Sequence, residues 1–100
     1  MSTPEPQAIS VSDLTQQIKN VLEGSFPILW VSGEISNFVH HGSGHMYFTL
    51  KDEKAEIRGV MFKGFNQYLH FKPENGMQVL LQGDLTVYEA RGQYQIVAKK

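Results

Sequence analysis

From Val11 onward the apolar positions follow a helical period: Leu14, Ile18, Val21 and Leu22 fall at i, i+4, i+7 and i+8, on one face of a helix. Ser12 stands where an N-cap belongs, Asp13 lies in the first turn where the helix dipole favours an acid, and Gly24 supplies a stop. Pro27 ends this pattern, and beyond it the spacing drops to two. Residues 28–39 read as a first strand with Leu29, Val31 and Ile35 on one face, and the interior Gly33 predicts a bulge or sharp coil there. After Gly42-Ser-Gly44, residues 45–51 form a second strand in which Met46, Phe48 and Leu50 alternate with Tyr47, Thr49 and Lys51.

Asp52-Glu-Lys-Ala55 makes a hairpin connection to a third strand over residues 56–62, whose periodicity does not decide its buried face. Phe65, Tyr68, Leu69 and Phe71 have mixed spacing, which predicts a helical turn or an irregular connection ahead of Pro73. A fourth strand, 76–88, turns Val79, Leu81, Leu85 and Val87 one way and Gln82, Asp84, Thr86 and Tyr88 the other, with Gly83 at its centre. Glu89-Ala-Arg-Gly92 is the loop into the last strand, 93–98. Five strands, a short N-terminal helix and a helical connection between strands 3 and 4 predict an all-β fold. The best match is a partly open five-stranded Greek-key barrel of the OB type, because a sandwich needs more strands.

Composition bounds this picture. One hundred residues, 41% of them apolar, suffice for one core but not two, so residues 10–100 are read as one domain behind a flexible tail at 1–9 that carries two prolines. The chain has no cysteine, which excludes disulfides, thiolate metal sites and a cysteine nucleophile. No run approaches a membrane span, and the N-terminus does not look like a signal peptide, so a cytoplasmic location is expected. Net charge is −1, which argues against an obvious polyanion binder until its distribution is seen. Residues 1–37 sum to −3 and residues 38–100 to +2, so the positive charge lies in the strand-rich part.

Catalytic patterns are missing. His40, His41 and His45 are the one cluster of metal-ligand type, but adjacent histidines on an extended chain point to opposite faces, and a solvated loop is the ordinary reading. Ser43, His45 and Asp52 lack the strained turn that activates a serine, and neither a phosphate loop nor a dinucleotide fingerprint is present. No catalytic residue, metal or cofactor is assigned. What remains is a binding signal, aromatic and basic side chains alternating on strands whose other face is apolar. Tyr47 with Lys51, Arg58 with Phe62 and Lys63, and Arg91 with Tyr94 fit base stacking and phosphate contact. Each also fits an ordinary strand aromatic or a solvated cation. Trp30, between apolar neighbours, reads as core or as a helix contact.

Four blocks in order, residues 31–38, 43–52, 60–62 and 88–95, together with the leading Val11-Ser-Asp-Leu14, resemble the N-terminal OB domain of the large subunit of bacterial exodeoxyribonuclease VII. The resemblance spans about residues 9–98. It implies a fragment of a longer chain that binds single-stranded DNA and delivers it to a nuclease site further along, with small subunits contacting regions outside this segment. The fragment is then expected to bind without cutting. The resemblance puts Phe62 and Lys63 first as stacking and phosphate residues, followed by Phe38, His45, Tyr47, Arg58 and Arg91, with Lys51 beside Tyr47 on its strand. Gly33, Glu34 and Gly92 are read as structural. Two alternatives stay open: an RNA-binding OB domain, and a module that docks another protein domain.

Overall fold

The computed structural model describes residues 6–100. The first five residues of the expected flexible tail lie outside the described residues, and residues 6–10 carry no regular secondary structure. Helix α1, Val11–Ser25, is capped two residues earlier than the pattern suggests: the hydroxyl of Ser10, not Ser12, accepts the Asp13 amide at 3.0 Å. Five strands follow: β1 (Leu29–His40), β2 (Met46–Lys51), β3 (Glu56–Met61), β4 (Gln78–Tyr88) and β5 (Gln93–Ala98), with the single-turn α2 (Lys63–Asn66) between β3 and β4. The expected helical connection is therefore present.

The strands close a barrel in the order β1-β2-β3-β5-β4, with β1 returning to pair antiparallel with β4 and β3 pairing parallel with β5. Alternation delivers Ile35, Met46, Leu50, Leu81, Val87, Ile96 and Ala98 to the buried interior. Burying the larger of these side chains is worth roughly 1.5–3 kcal/mol each, which is the main source of the barrel's stability. The undecided face of β3 has a simple resolution: Gly59, Val60 and Met61 are all buried, so its last half is covered on both sides.

Three expectations are corrected. The bulge of β1 is at Asn37, not at Gly33: Asn37 has φ 51° and the register against β2 shifts between Ser36 and Val39. Gly33 instead makes room for a neighbour, since a Cβ there would lie 2.7 Å from Leu50 Cγ. Trp30 is not core. It stands outward on β1 opposite Gln82 and is 57% exposed. Leu14, Ile18 and Val21 of α1 are also exposed; the helix rests on β4 through the buried Thr15, a Lys19–Glu89 ion pair of 2.8 Å and a hydrogen bond of 2.9 Å donated by the Thr86 hydroxyl to Glu23.

The β2–β3 hairpin is held by Asp52, whose carboxylate accepts the amides of Lys54 at 2.8 Å and Ala55 at 2.9 Å. These two bonds favour the ionised form and hold the carboxyl below its ordinary value. A depressed carboxylate contributes stability above its unfolded pKa and loses it as pH falls through the folded one. Asp52 is thus expected to titrate below the ordinary aspartate range, with the Lys54 and Ala55 amide resonances shifting at the same midpoint. An NMR pH titration checks this, and a midpoint at or above the ordinary value would contradict the hairpin geometry.

Candidate nucleic-acid interface

The register of β2 against β3 builds the site. Met46 faces Met61 and Tyr47 faces Val60, so continuing the ladder by one position brings His45 opposite Phe62. The two rings meet edge to face with centroids 5.2 Å apart, an orientation that the charge distribution of aromatic rings favours. His45 Nδ1 accepts the Lys63 amide at 3.1 Å, which places the ring proton on Nε2 and fixes the entry of the chain into α2. Next to this pair, Tyr47 points outward from β2 with its ring edge to face with His41 at 6.1 Å.

The loop between β1 and β2 is tied to this ensemble from below. The buried Asn66 side-chain amide donates to the Gly44 carbonyl at 2.7 Å and to the Met61 carbonyl at 3.2 Å, joining the loop, the end of β3 and α2. Gly44 has φ +95°, and a Cβ there would lie 2.8 Å from Lys63 Cδ, so the lysine stem runs over the loop backbone. His41 Nδ1 and the Ser43 hydroxyl, 3.0 Å apart, brace the loop from within. The result is a fixed platform with Phe62 39% exposed and the Lys63 ammonium at its rim, without an ion-pair partner among the described residues.

The structure brings some of the sequence-predicted residues together and separates others. His45, Tyr47, Phe62 and Lys63 form one cluster. Arg58 lies further along the same outer face, between Thr49 and Gln95, and Lys51 ends that face with its ammonium 3.5 Å from Glu34. Arg91 is remote: β5 runs parallel to β3, so the loop before β5 sits beside the start of β3, at the opposite end from Phe62. Phe38 is turned inward. The Asn37 bulge reverses the alternation, and its ring packs against the core beside Met46 and Met61. Sequence reasoning passed over Asn66, and it read the exposed Trp30 as core or a helix contact. Asn66 has no signal in the chain, while Trp30 had one, since it alternates with the inward Leu29 and Val31.

Among the described residues no three His, Asp or Glu side chains converge as a metal site, and no helix is long and apolar enough to cross a membrane. With an apolar core and an outer face that carries aromatic rings beside Lys63 and Arg58, neither of them in an ion pair among the described residues, the arrangement offers stacking surfaces and positive charge side by side.

Comparison with known proteins agrees with this geometry. The family described as OB-fold nucleic acid binding domain matches residues 9–100. Proteins named exodeoxyribonuclease 7 large subunit are 48% identical over 100 residues in Tolumonas auensis, 52% over 96 in Shouchella clausii and 50% over 99 in Rhodopirellula baltica. These alignments cover 100%, 94% and 99% of this chain but only 22%, 21% and 22% of those proteins, so the chain spans about a fifth of the relatives it matches. The resemblance read from the four sequence blocks is thus borne out along the chain. Among solved structures, a replication protein A heterotrimer bound to ssDNA superposes with TM-score 0.59 at 13% identity, covering 75% of this chain and 55% of that one. Asparaginyl-tRNA synthetase from Pyrococcus horikoshii superposes with TM-score 0.60 at 15% identity, covering 85% and 21%. At such identities these two likenesses show the fold alone.

Proposed function

The chain belongs to the OB-fold nucleic acid binding domain family, and on that premise we propose that it is a single-stranded-DNA-binding module serving an exodeoxyribonuclease VII large subunit. In that reading it holds the strand and presents it to a nuclease site elsewhere in a longer polypeptide, where the small subunits also dock. The whole-chain identity to proteins of that name supports the assignment.

The observation that carries the reading is the platform of His45, Tyr47, Phe62 and Lys63 at one end of the β2–β3 face. A single strand exposes both base faces and phosphates. Exposed rings take the bases at roughly 1–3 kcal/mol each without reading sequence, while the unpaired Lys63 takes a phosphate. Duplex DNA hides its base faces and gains only the charge term. With so few cations on this face the salt dependence is shallow, about −0.7 in log–log slope for each phosphate neutralised.

The test is a titration of a labelled dT oligomer at low and moderate salt, beside a duplex of equal length and a matched U oligomer. The expected result is single strand over duplex and DNA over RNA, with a shallow slope. Equal or tighter binding of RNA would move the function to the RNA-binding alternative. Absence of binding at every salt would leave the platform as a surface for another protein domain.

A further inference from the structure

The platform does not end at Lys63. Phe65 lies one turn further along α2, its amide donating to the Phe62 carbonyl at 2.9 Å, and positions so spaced share one side of the turn. Over the Phe65 ring stands the ammonium of Lys99, 4.4 Å from the centroid. Lys99 follows β5, and its amide donates to the Gln82 carbonyl at 2.6 Å, which anchors the backbone from which the side chain reaches across. The ion pairs among the described residues are Lys19–Glu89 and Lys51–Glu34, so Lys99 is held by a ring and not by an acid. Such an exposed contact is worth roughly 0.5–1 kcal/mol and leaves the ammonium's outer side open to an anion.

Charge gives this second ring and cation a direction. The end of the barrel that carries α2 and the tail of β5 has Lys63, Lys72, Lys99 and Lys100 with Glu74, whereas at the end with the β2–β3 hairpin and the Arg91 loop Glu34, Asp52, Glu53, Glu56 and Glu89 stand against Lys19, Lys51, Lys54 and Arg91, two of those cations being taken up in ion pairs. A polyanion leaving the Phe62 platform meets a surplus of positive charge along the first and a near-balanced surface at the second. Asp84 and Glu23 border Lys99 on its far side, outside ion-pair distance, and limit the cationic strip there.

We propose that Phe65 and Lys99 form a second nucleotide subsite, with a phosphate on Lys99 and a base against Phe65. A bound single strand then crosses α2 toward the end of β5 and does not run toward Arg91. This rests on the single-strand-binding reading above and adds the path of the strand.

The test uses the full chain, with Phe65→Leu and Lys99→Gln made separately and each checked by its thermal melt. The probes are a dT oligomer of about four nucleotides and one of about twelve, lengths that bracket the footprint of one such barrel. Expected is a Kd for the short oligomer within about twofold of wild type and a loss of about fivefold or more for the long one. Lys99→Gln is also expected to reduce the long oligomer's salt slope by about 0.7, with Lys99→Arg keeping it. Wild-type affinity of both variants for the long oligomer, or equal losses at both lengths, would overturn the second subsite and leave the first standing. Absence of binding by the wild type would remove both. Lys99 follows the last strand and is only partly buried, so its variants answer the question even if Phe65→Leu destabilises the barrel.

Discussion

Replacing Phe62 and Lys63 together by alanine is expected to weaken binding of a dT oligomer by about 10- to 100-fold, the equivalent of one lost stack and one lost phosphate contact. The barrel should survive the change. Phe62 is 39% exposed and ends outside the core, so truncation leaves a shallow notch and not a cavity. The bond from His45 Nδ1 uses the backbone amide of residue 63, which alanine retains. The single variants separate the two contributions. Phe62→Ala lowers affinity with the salt slope unchanged, because stacking releases no counterions, whereas Lys63→Ala reduces the slope by about 0.7. Fluorescence anisotropy across a salt series reads both quantities. A double variant that stays folded and binds as wild type would move the interface to the outer row of Arg58 and Lys51.

The second large effect is on the barrel itself. Gly83 pairs with Leu29 of β1 and Ala98 of β5, and a Cβ added there would collide with the Val97 carbonyl oxygen, a backbone atom with no rotamer to change. Gly83→Ala is expected to cost about 3 kcal/mol, at the upper end of overpacking penalties, and at this chain length to lower Tm by about 10–20 °C. Gly24→Ala is the control. Nothing lies within 4 Å of a Cβ at Gly24, and it is the penultimate residue of α1, where alanine is the better helix former by at most about 1 kcal/mol, so this variant should hold or raise Tm. A Gly83→Ala melt that matches wild type would mean that the β4–β5 pairing is looser than its register indicates.

Most of the barrel was legible in the chain because alternation is a local property. β5 was placed at its observed bounds, β2, β3 and β4 to within two residues, and the helical turn after β3 where α2 stands. Most of the failures trace to contacts made by residues far apart in sequence, and one, Trp30, to a local signal misread. Nothing near Asn37 announces its positive φ, yet that one residue turns Phe38 from the outer face into the core. Trp30 was placed inside by the company of its apolar neighbours, when alternation placed it outside. In the candidate site, Phe62, Lys63, His45 and Tyr47 were found through local blocks, and the structure gathers them. Asn66, the Lys99–Phe65 contact and the remoteness of Arg91 depend on how the strands are ordered around the barrel, which no window of sequence contains.

The return of β1 to β4 also governs what this domain can offer to other chains. In an open sheet the outermost strands carry a row of unsatisfied amides and carbonyls, and any extended peptide can add to them, including another copy of the same strand. A ring of five strands spends those groups on itself. Recognition is left to side chains and loops, and the domain can sit at high local concentration without templating β-aggregation of its neighbours.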